Sequence, residues 1–131
     1  MPHTPISIVI RTLDAAETLG AVLAGLDCDI GDQCIVVDSG STDGTVELAR
    51  RHGAEIVPIR KDEFTYGRAL NRGFAAARHD WVLSLSAHTV PADLGFLAAY
   101  RRAVRRFPDA VTAAVGPILG EFDAALSGGI T

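Results

Sequence analysis

Apolar positions follow two alternating rhythms along this chain. Short, β-branched runs of strand length lie at 6–10, 34–37, 55–59, 81–85 and 111–115. Between them, apolar residues return every three or four positions, the spacing of a helix with one buried stripe. The stripes are Leu19, Val22, Leu23 and Leu26; Val46 and Ala49; Leu70, Phe74 and Ala77 within 67–78; and Leu94, Leu97, Ala98, Arg101 and Val104. Arg101 is compatible with its stripe because a long Arg stem covers apolar surface. Asp14 with Glu17 three residues on has the form of a capping box ahead of the first helix, Gly53 is a natural stop for the second, and Asp93 is a candidate cap for the fourth. Pro58 lacks an amide donor and so demotes the third strand toward a sheet edge. Strands alternating with helices imply right-handed βαβ units and a parallel sheet, an α/β fold. Residues 1–131 read as one domain whose tail, 117–131, is Gly-rich and weakly patterned, with a short helix expected at 121–126.

Residues 35–45 organise the rest. A β-branched run ends at Asp38; Ser39, Gly40 and Ser41 supply a turn; and helical periodicity starts beyond Asp43. This puts a carboxylate at the C-terminal end of a strand, the edge of an open α/β sheet at which ligands bind. The same edge receives Thr12 and Asp14 from the first strand, and Ser86, Ala87 and His88 from the fourth. Arg68 and Asn71 fall on the first turns of the third helix beside it. Hydroxyls, carboxylates and an Asn suit a base and ribose, and an Arg suits phosphate, so the cluster reads as a nucleotide crevice. Taken singly, each residue also has a plainer reading: Asp38 as a turn cap, Asp43 as a helix cap, Arg68 as a solvated charge, His88 as a hydrogen-bonded loop residue. Neither a P-loop nor a Gly-x-Gly-x-x-Gly pattern is present.

Composition narrows the setting. With 48% hydrophobic and 21% charged residues the chain is of ordinary globular type, and a net charge of −4 offers nucleic acid no electrostatic footing. Cys28 and Cys34 have neither metal-ligand nor redox spacing and read as free thiols in a reducing compartment. No leader pattern is evident, and the longest weakly polar run, 110–119, is about half of the ~20 residues that span a bilayer. A cytoplasmic protein is expected, with peripheral contact at the inner membrane face left open.

These residues resemble the family 2 glycosyltransferases, enzymes of the GT-A fold that use nucleotide-activated sugars. Residues 6–14 (Ile-Ser-Ile-Val-Ile-Arg-Thr-Leu-Asp) are similar to the family's V-S-V-V-I-P-T-Y-N, with Thr12 on the Thr and Asp14 on the Asn. Residues 36–45 are similar to V-V-D-D-G-S-T-D-G-T, residues 67–73 to the helix carrying Arg and Asn, and residues 81–91 to the strand that ends in Asp-x-Asp and a Pro. The resemblance implies a three-layer α/β/α domain with a mostly parallel, Rossmann-like sheet, truncated after the nucleotide-sugar-binding half. It also implies inverting transfer of a sugar from a nucleoside diphosphate donor to an unknown saccharide or lipid-linked acceptor. Nucleotide-sugar contacts are expected at Thr12, Asp14, Asp38, Ser39, Arg68 and Asn71. Ser39 stands where the signature has its second Asp, the base contact, so a uridine donor does not follow from the sequence. Ser86-Ala87-His88 stands where Asp-x-Asp would hold Mn²⁺ or Mg²⁺; His88 is the candidate metal contact, and weakened metal affinity is expected. No residue presents itself as the catalytic base.

Two rival readings accompany this one. A non-catalytic nucleotide-sugar-binding module fits the missing second half. A receiver-like phosphoacceptor domain fits poorly, because its acceptor Asp belongs at the end of the third strand, where Val57, Pro58 and Ile59 stand. A truncated half would expose sheet edge and apolar surface, so a homodimer is expected.

Overall fold

The structure, a computed structural model, describes residues 4–88 and 95–106. In chain order its elements are β1 (Ile6–Thr12), α1 (Ala16–Leu26), β2 (Gln33–Asp38), α2 (Thr45–Arg51), β3 (Glu55–Pro58), a 3-10 turn (Lys61–Glu63), α3 (Tyr66–Ala76), β4 (Trp81–Ser86) and α4 (Phe96–Arg106). The expected strand at 111–115, the tail with its helix at 121–126, and the Asp93 cap lie outside the described residues.

The strands pair in the order β3-β2-β1-β4, all parallel. The chain therefore steps outward from β1 to β2 and β3, then crosses back to place β4 on the other side of β1. The order reverses between β1 and β4, which opens a crevice at their C-terminal ends. Among the described residues β3 is an edge strand, as Pro58 predicts. Alternation divides the central strands between two faces. Ile6, Ile8, Ile10, Val36, Leu83 and Leu85 pack with Leu19, Val22, Leu26, Ala49 and Leu97 of α1, α2 and α4. Val9, Ile35 and Val37 pack with Ala69 of α3. This is the expected three-layer α/β/α arrangement around a parallel sheet.

Three details depart from the sequence reading. Asp14 does not form a capping box: it sits outside the helix in a left-handed conformation, φ 48°. The first free amides of α1 are instead satisfied across the fold, Ala15 N–H by Thr45 Oγ1 at 2.9 Å and Ala16 N–H by Asp43 Oδ2 at 3.1 Å. Phe74 is not on the buried side of α3; it is 45% exposed, and Ala69 and Gly73 are the residues buried there. The cause is close approach. A Cβ added to Gly73 would lie 2.3 Å from Val9 Cγ1, so the contact face is the line of small residues and Phe74 turns outward.

Arg101 is the third. Its guanidinium, 8% exposed, makes a two-pronged ion pair with Asp32, whose side chain is fully enclosed, at 2.7 and 2.8 Å. It also donates to Thr4 O at 2.9 Å, while Asp32 accepts from Ile6 N–H at 3.0 Å. This pair ties α4 to the start of β1, which is more than the apolar cover expected of its stem. Burial pushes the Asp32 carboxyl up, but hydrogen bonds from Arg101, Asp29 and Ile6 outweigh it and hold it below the usual carboxylate range.

Two outcomes follow from the packing. Gly73→Ala should destabilise the fold by ~1–2 kcal/mol, since overpacking exceeds the gain in helix propensity, and should lower Tm by roughly 5 °C in a thermal melt. Asp32→Asn should remove about 3 kcal/mol near pH 7 by stranding Arg101. A carboxylate held low when folded contributes stability above its unfolded value of about 3.9 and loses it as pH falls through the folded value. The gap between wild type and variant in urea melts should therefore close as pH drops below about 4.

Candidate functional site

β1 and β2 end side by side, with Thr12 paired to Asp38 in the parallel register. Asp38 is 5% exposed and its carboxylate is fully engaged. Oδ1 accepts from Thr12 Oγ1 at 2.6 Å and from Ser41 Oγ at 2.5 Å; Oδ2 accepts from Gly40 N–H at 3.0 Å and Ser41 N–H at 2.9 Å. Burial pushes its carboxyl up, yet these four bonds outweigh the desolvation and hold it below the usual range. The turn is possible because Gly40 takes φ 105°, a region that strains side-chain-bearing residues.

The neighbouring loop is locked to the same frame. Asp14 N–H donates to Ser41 Oγ at 2.8 Å, and Asp14 Oδ1 accepts from Thr42 N–H at 2.7 Å. Asp43 accepts from Thr45 N–H at 3.1 Å and from the Thr45 hydroxyl, which in turn holds Ala15. Asp43 thus caps α1 across the fold, and the residue at the N-cap of α2 is Gly44. Ser39 is 2% exposed; its hydroxyl meets Thr12 O at 3.3 Å, between the strands. Asp14, Thr42 and Asp43 are the exposed polar groups of this corner.

At the end of β4, His88 is exposed and anchored to α1. Thr18 Oγ1 donates to Ala87 O at 2.9 Å and lies 3.1 Å from His88 Nδ1. With the Thr18 proton on Ala87 O, Nδ1–H is the donor of that second contact. Ser86 Oγ accepts from His88 N–H at 3.2 Å.

Arg68 and Asn71 are not joined to this cluster by any hydrogen bond among the described residues. They line an open cavity of about 530 Å³ on the outward side of α3, with Glu63, Arg72 and Ala75. Arg72 is ion-paired to Glu63 at 2.7 Å, and Arg68 donates to Glu63 O at 3.3 Å. Thr65 Oγ1 accepts from Arg68 N–H at 3.0 Å and caps α3. The structure therefore brings Thr12, Asp14, Asp38 and Ser39 into one network, sets His88 beside it through Thr18, and leaves Arg68 and Asn71 on a separate surface near the same end of the sheet.

Sequence reasoning missed Ser41, Thr45 and Thr18, which build the network. Asp43 signalled a helix cap, and it also accepts from the first amide of α1, the helix before it. Arg11 and Tyr66 were also missed. The signal was a charged residue closing an otherwise apolar strand: the Arg11 guanidinium lies 4.7 Å over the Tyr66 ring. Cys28, exposed, and Cys34, half-buried, are free thiols, as expected; desolvation pushes them up to about 11 and about 12. No helix among the described residues is long and apolar enough to cross a membrane.

Comparison with known proteins gives this edge a setting. The profile of Glycosyl transferase family 2 matches residues 7–124. An uncharacterized glycosyltransferase of Mycobacterium tuberculosis is 33% identical over 120 residues, covering 92% of this chain and 53% of that protein. The glucosyl-3-phosphoglycerate synthase of Mycolicibacterium paratuberculosis is 38% identical over 90 residues, 60% of this chain and 26% of the synthase. Among solved structures, glucosyl-3-phosphoglycerate synthase from Mycobacterium tuberculosis in complex with Mn²⁺, UDP and glucosyl-3-phosphoglycerate superposes with TM-score 0.62 at 28% identity, over 72% of this chain and 37% of the synthase. The chain spans about half the length of the curated relatives it matches first. On the family profile, the relatives and the shared parallel sheet, this chain belongs to glycosyl transferase family 2.

Proposed function

We propose that this chain binds the nucleoside diphosphate sugar of a glycosyl transfer, and that the nucleotide is UDP. The observation that carries the reading is the Asp38 network at the β1–β2 edge beside the strand-order reversal. It pre-forms a rigid polar corner at the position where sheets of this type take a nucleotide. The solved complexes of similar synthases with UDP support the choice of base, which Ser39 alone leaves open. Asp14 meets the base and ribose from the exposed side, with Thr12, Asp38 and Ser39 fixing the wall behind it. Arg68, in the first turn of α3 at the same end of the sheet, supports phosphate, and Asn71 supports ribose or phosphate.

In the whole enzyme, an acceptor hydroxyl of a saccharide or lipid-linked molecule attacks the anomeric carbon and UDP departs. A single displacement of this kind inverts the anomeric centre. The acceptor loses its proton to a general base, and positive charge stabilises the leaving diphosphate. Similar synthases are solved with Mn²⁺ or Mg²⁺ beside UDP. The described residues of this chain do not fit such an ion: no three His, Cys, Asp or Glu among them converge, and Ser86 and His88 offer no carboxylate. His88 is exposed at this edge.

A second reading is a module that binds the donor without transferring the sugar. The two separate in one assay, because donor hydrolysis or transfer by this chain alone excludes the module. A homodimer is proposed as well. A monodisperse monomer in light scattering would count against it.

Isothermal titration should show binding of UDP to the wild-type chain, and no binding of any nucleoside diphosphate would defeat the reading. Asp14→Ala, at an exposed position, should leave the fold intact and weaken UDP about tenfold, ~1.4 kcal/mol.

A further inference from the structure

β1 and β4 run parallel with Arg11 opposite Ser86. Facing positions on neighbouring strands bring side chains within about 5 Å, so these two share one spot on the sheet, on the face that α3 covers and at the ligand-binding edge. The Arg11 guanidinium is held there by Tyr66, the first residue of α3, over whose ring it lies at 4.7 Å. Arg60, Arg72, Arg78 and Arg101 each hold a carboxylate, whereas Arg11 has no ion-pair partner among the described residues. Among the described residues its Nε is shut off from water and makes no hydrogen bond. A buried donor without an acceptor is rare in folded chains, so the polar capacity of Arg11 is unmatched among the described residues.

The chemistry of Ser86 points to an anionic partner. The family resemblance puts an acidic residue at 86, one of a pair whose charge holds a divalent cation. A carboxylate there would also neutralise an arginine directly opposite. Here the position is a serine, and the residue opposite carries a fixed positive charge where the resembling motif has proline. Cation-binding charge is lost at the same point at which permanent positive charge is gained. A guanidinium presents its N–H groups in a planar fork that matches phosphate oxygens.

We propose that Arg11 binds the diphosphate of the donor directly and supplies the positive charge that a divalent cation supplies in similar enzymes. This rests on the donor-binding reading above. Tyr66 acts as the positioning residue, keeping the guanidinium over the crevice between β1 and β4.

The test is titration of UDP and of uridine, each in EDTA and in Mn²⁺, against wild type, Arg11→Met and Arg11→Lys, with Arg102→Met on α4 as the control for loss of a charge. Wild type should bind UDP in EDTA, with Mn²⁺ changing its affinity less than threefold. Arg11→Met should lose tenfold or more for UDP and nothing for uridine. Arg11→Lys, which keeps the charge without the fork, should lose less than Arg11→Met, and Arg102→Met should match wild type. A gain of threefold or more with Mn²⁺, or Arg11→Met losing less than tenfold for UDP, overturns the proposal. So does a loss for uridine as large as that for UDP. If Arg11→Met is unfolded by its thermal melt, Arg11→Lys decides: unchanged UDP affinity overturns the proposal, and a loss confined to UDP sustains it. Wild type that binds neither UDP nor uridine in either buffer overturns the donor reading, and this inference with it.

Discussion

Asp38 accepts four hydrogen bonds in a space almost closed to water, and the geometry of the whole ligand edge depends on them. A buried carboxylate is tolerated only when its lone pairs are satisfied, so the turn at 39–41 has little freedom to open while Asp38 is ionised. Through Thr12 the same carboxylate joins the ends of β1 and β2. Through Ser41 it reaches Asp14, and Asp14 reaches Thr42. The loop then returns to the first helix, where Asp43 and Thr45 cap α1. One ionised group thus fixes the strand ends, the loop and, at one remove, the helix start, so the corner is organised before a ligand arrives.

Two packing constraints carry that corner from beneath. Gly73 lets α3 lie against Val9 and Val37, close enough that a methyl group would collide. This approach brings Tyr66 to the sheet edge, over Arg11. On the opposite face, the enclosed pair of Arg101 and Asp32 ties α4 to the first residues of β1. β1 is held at its start by charge, along its length by apolar contact on both faces, and at its end by Asp38. That suits a central strand from which the site is built.

Much of this was legible in the sequence because it depends on local rules. Strand and helix periodicity gave the parallel α/β architecture, Pro58 gave the edge position of β3 among the described residues, and the 35–45 stretch placed Asp38 at a strand end ahead of a turn. What was not legible depends on contacts between segments far apart in the chain. A capping motif at Asp14 and Glu17 looks valid locally, but residues some 30 positions later provide the caps. Phe74 fits an apolar stripe by spacing, yet the depth of Gly73 against Val9 decides which side of α3 faces inward. Arg101 looked like an apolar stem with a solvated head because its partner, Asp32, is 69 residues away. Among the candidate site residues, nothing in the spacing revealed that Arg68 and Asn71 line a surface apart from Asp38.

The central claim is that the corner formed by the ends of β1, β2 and β4 receives UDP. Amide chemical-shift mapping by nuclear magnetic resonance, with UDP titrated into the isotopically labelled chain, tests it most directly. The account predicts saturable shifts concentrated at 11–14, 38–43 and 86–88, with further shifts at Arg68 and Asn71. Shifts confined to the α3 cavity at Glu63, Asn71, Arg72 and Ala75, or no saturable shifts at all, would contradict it.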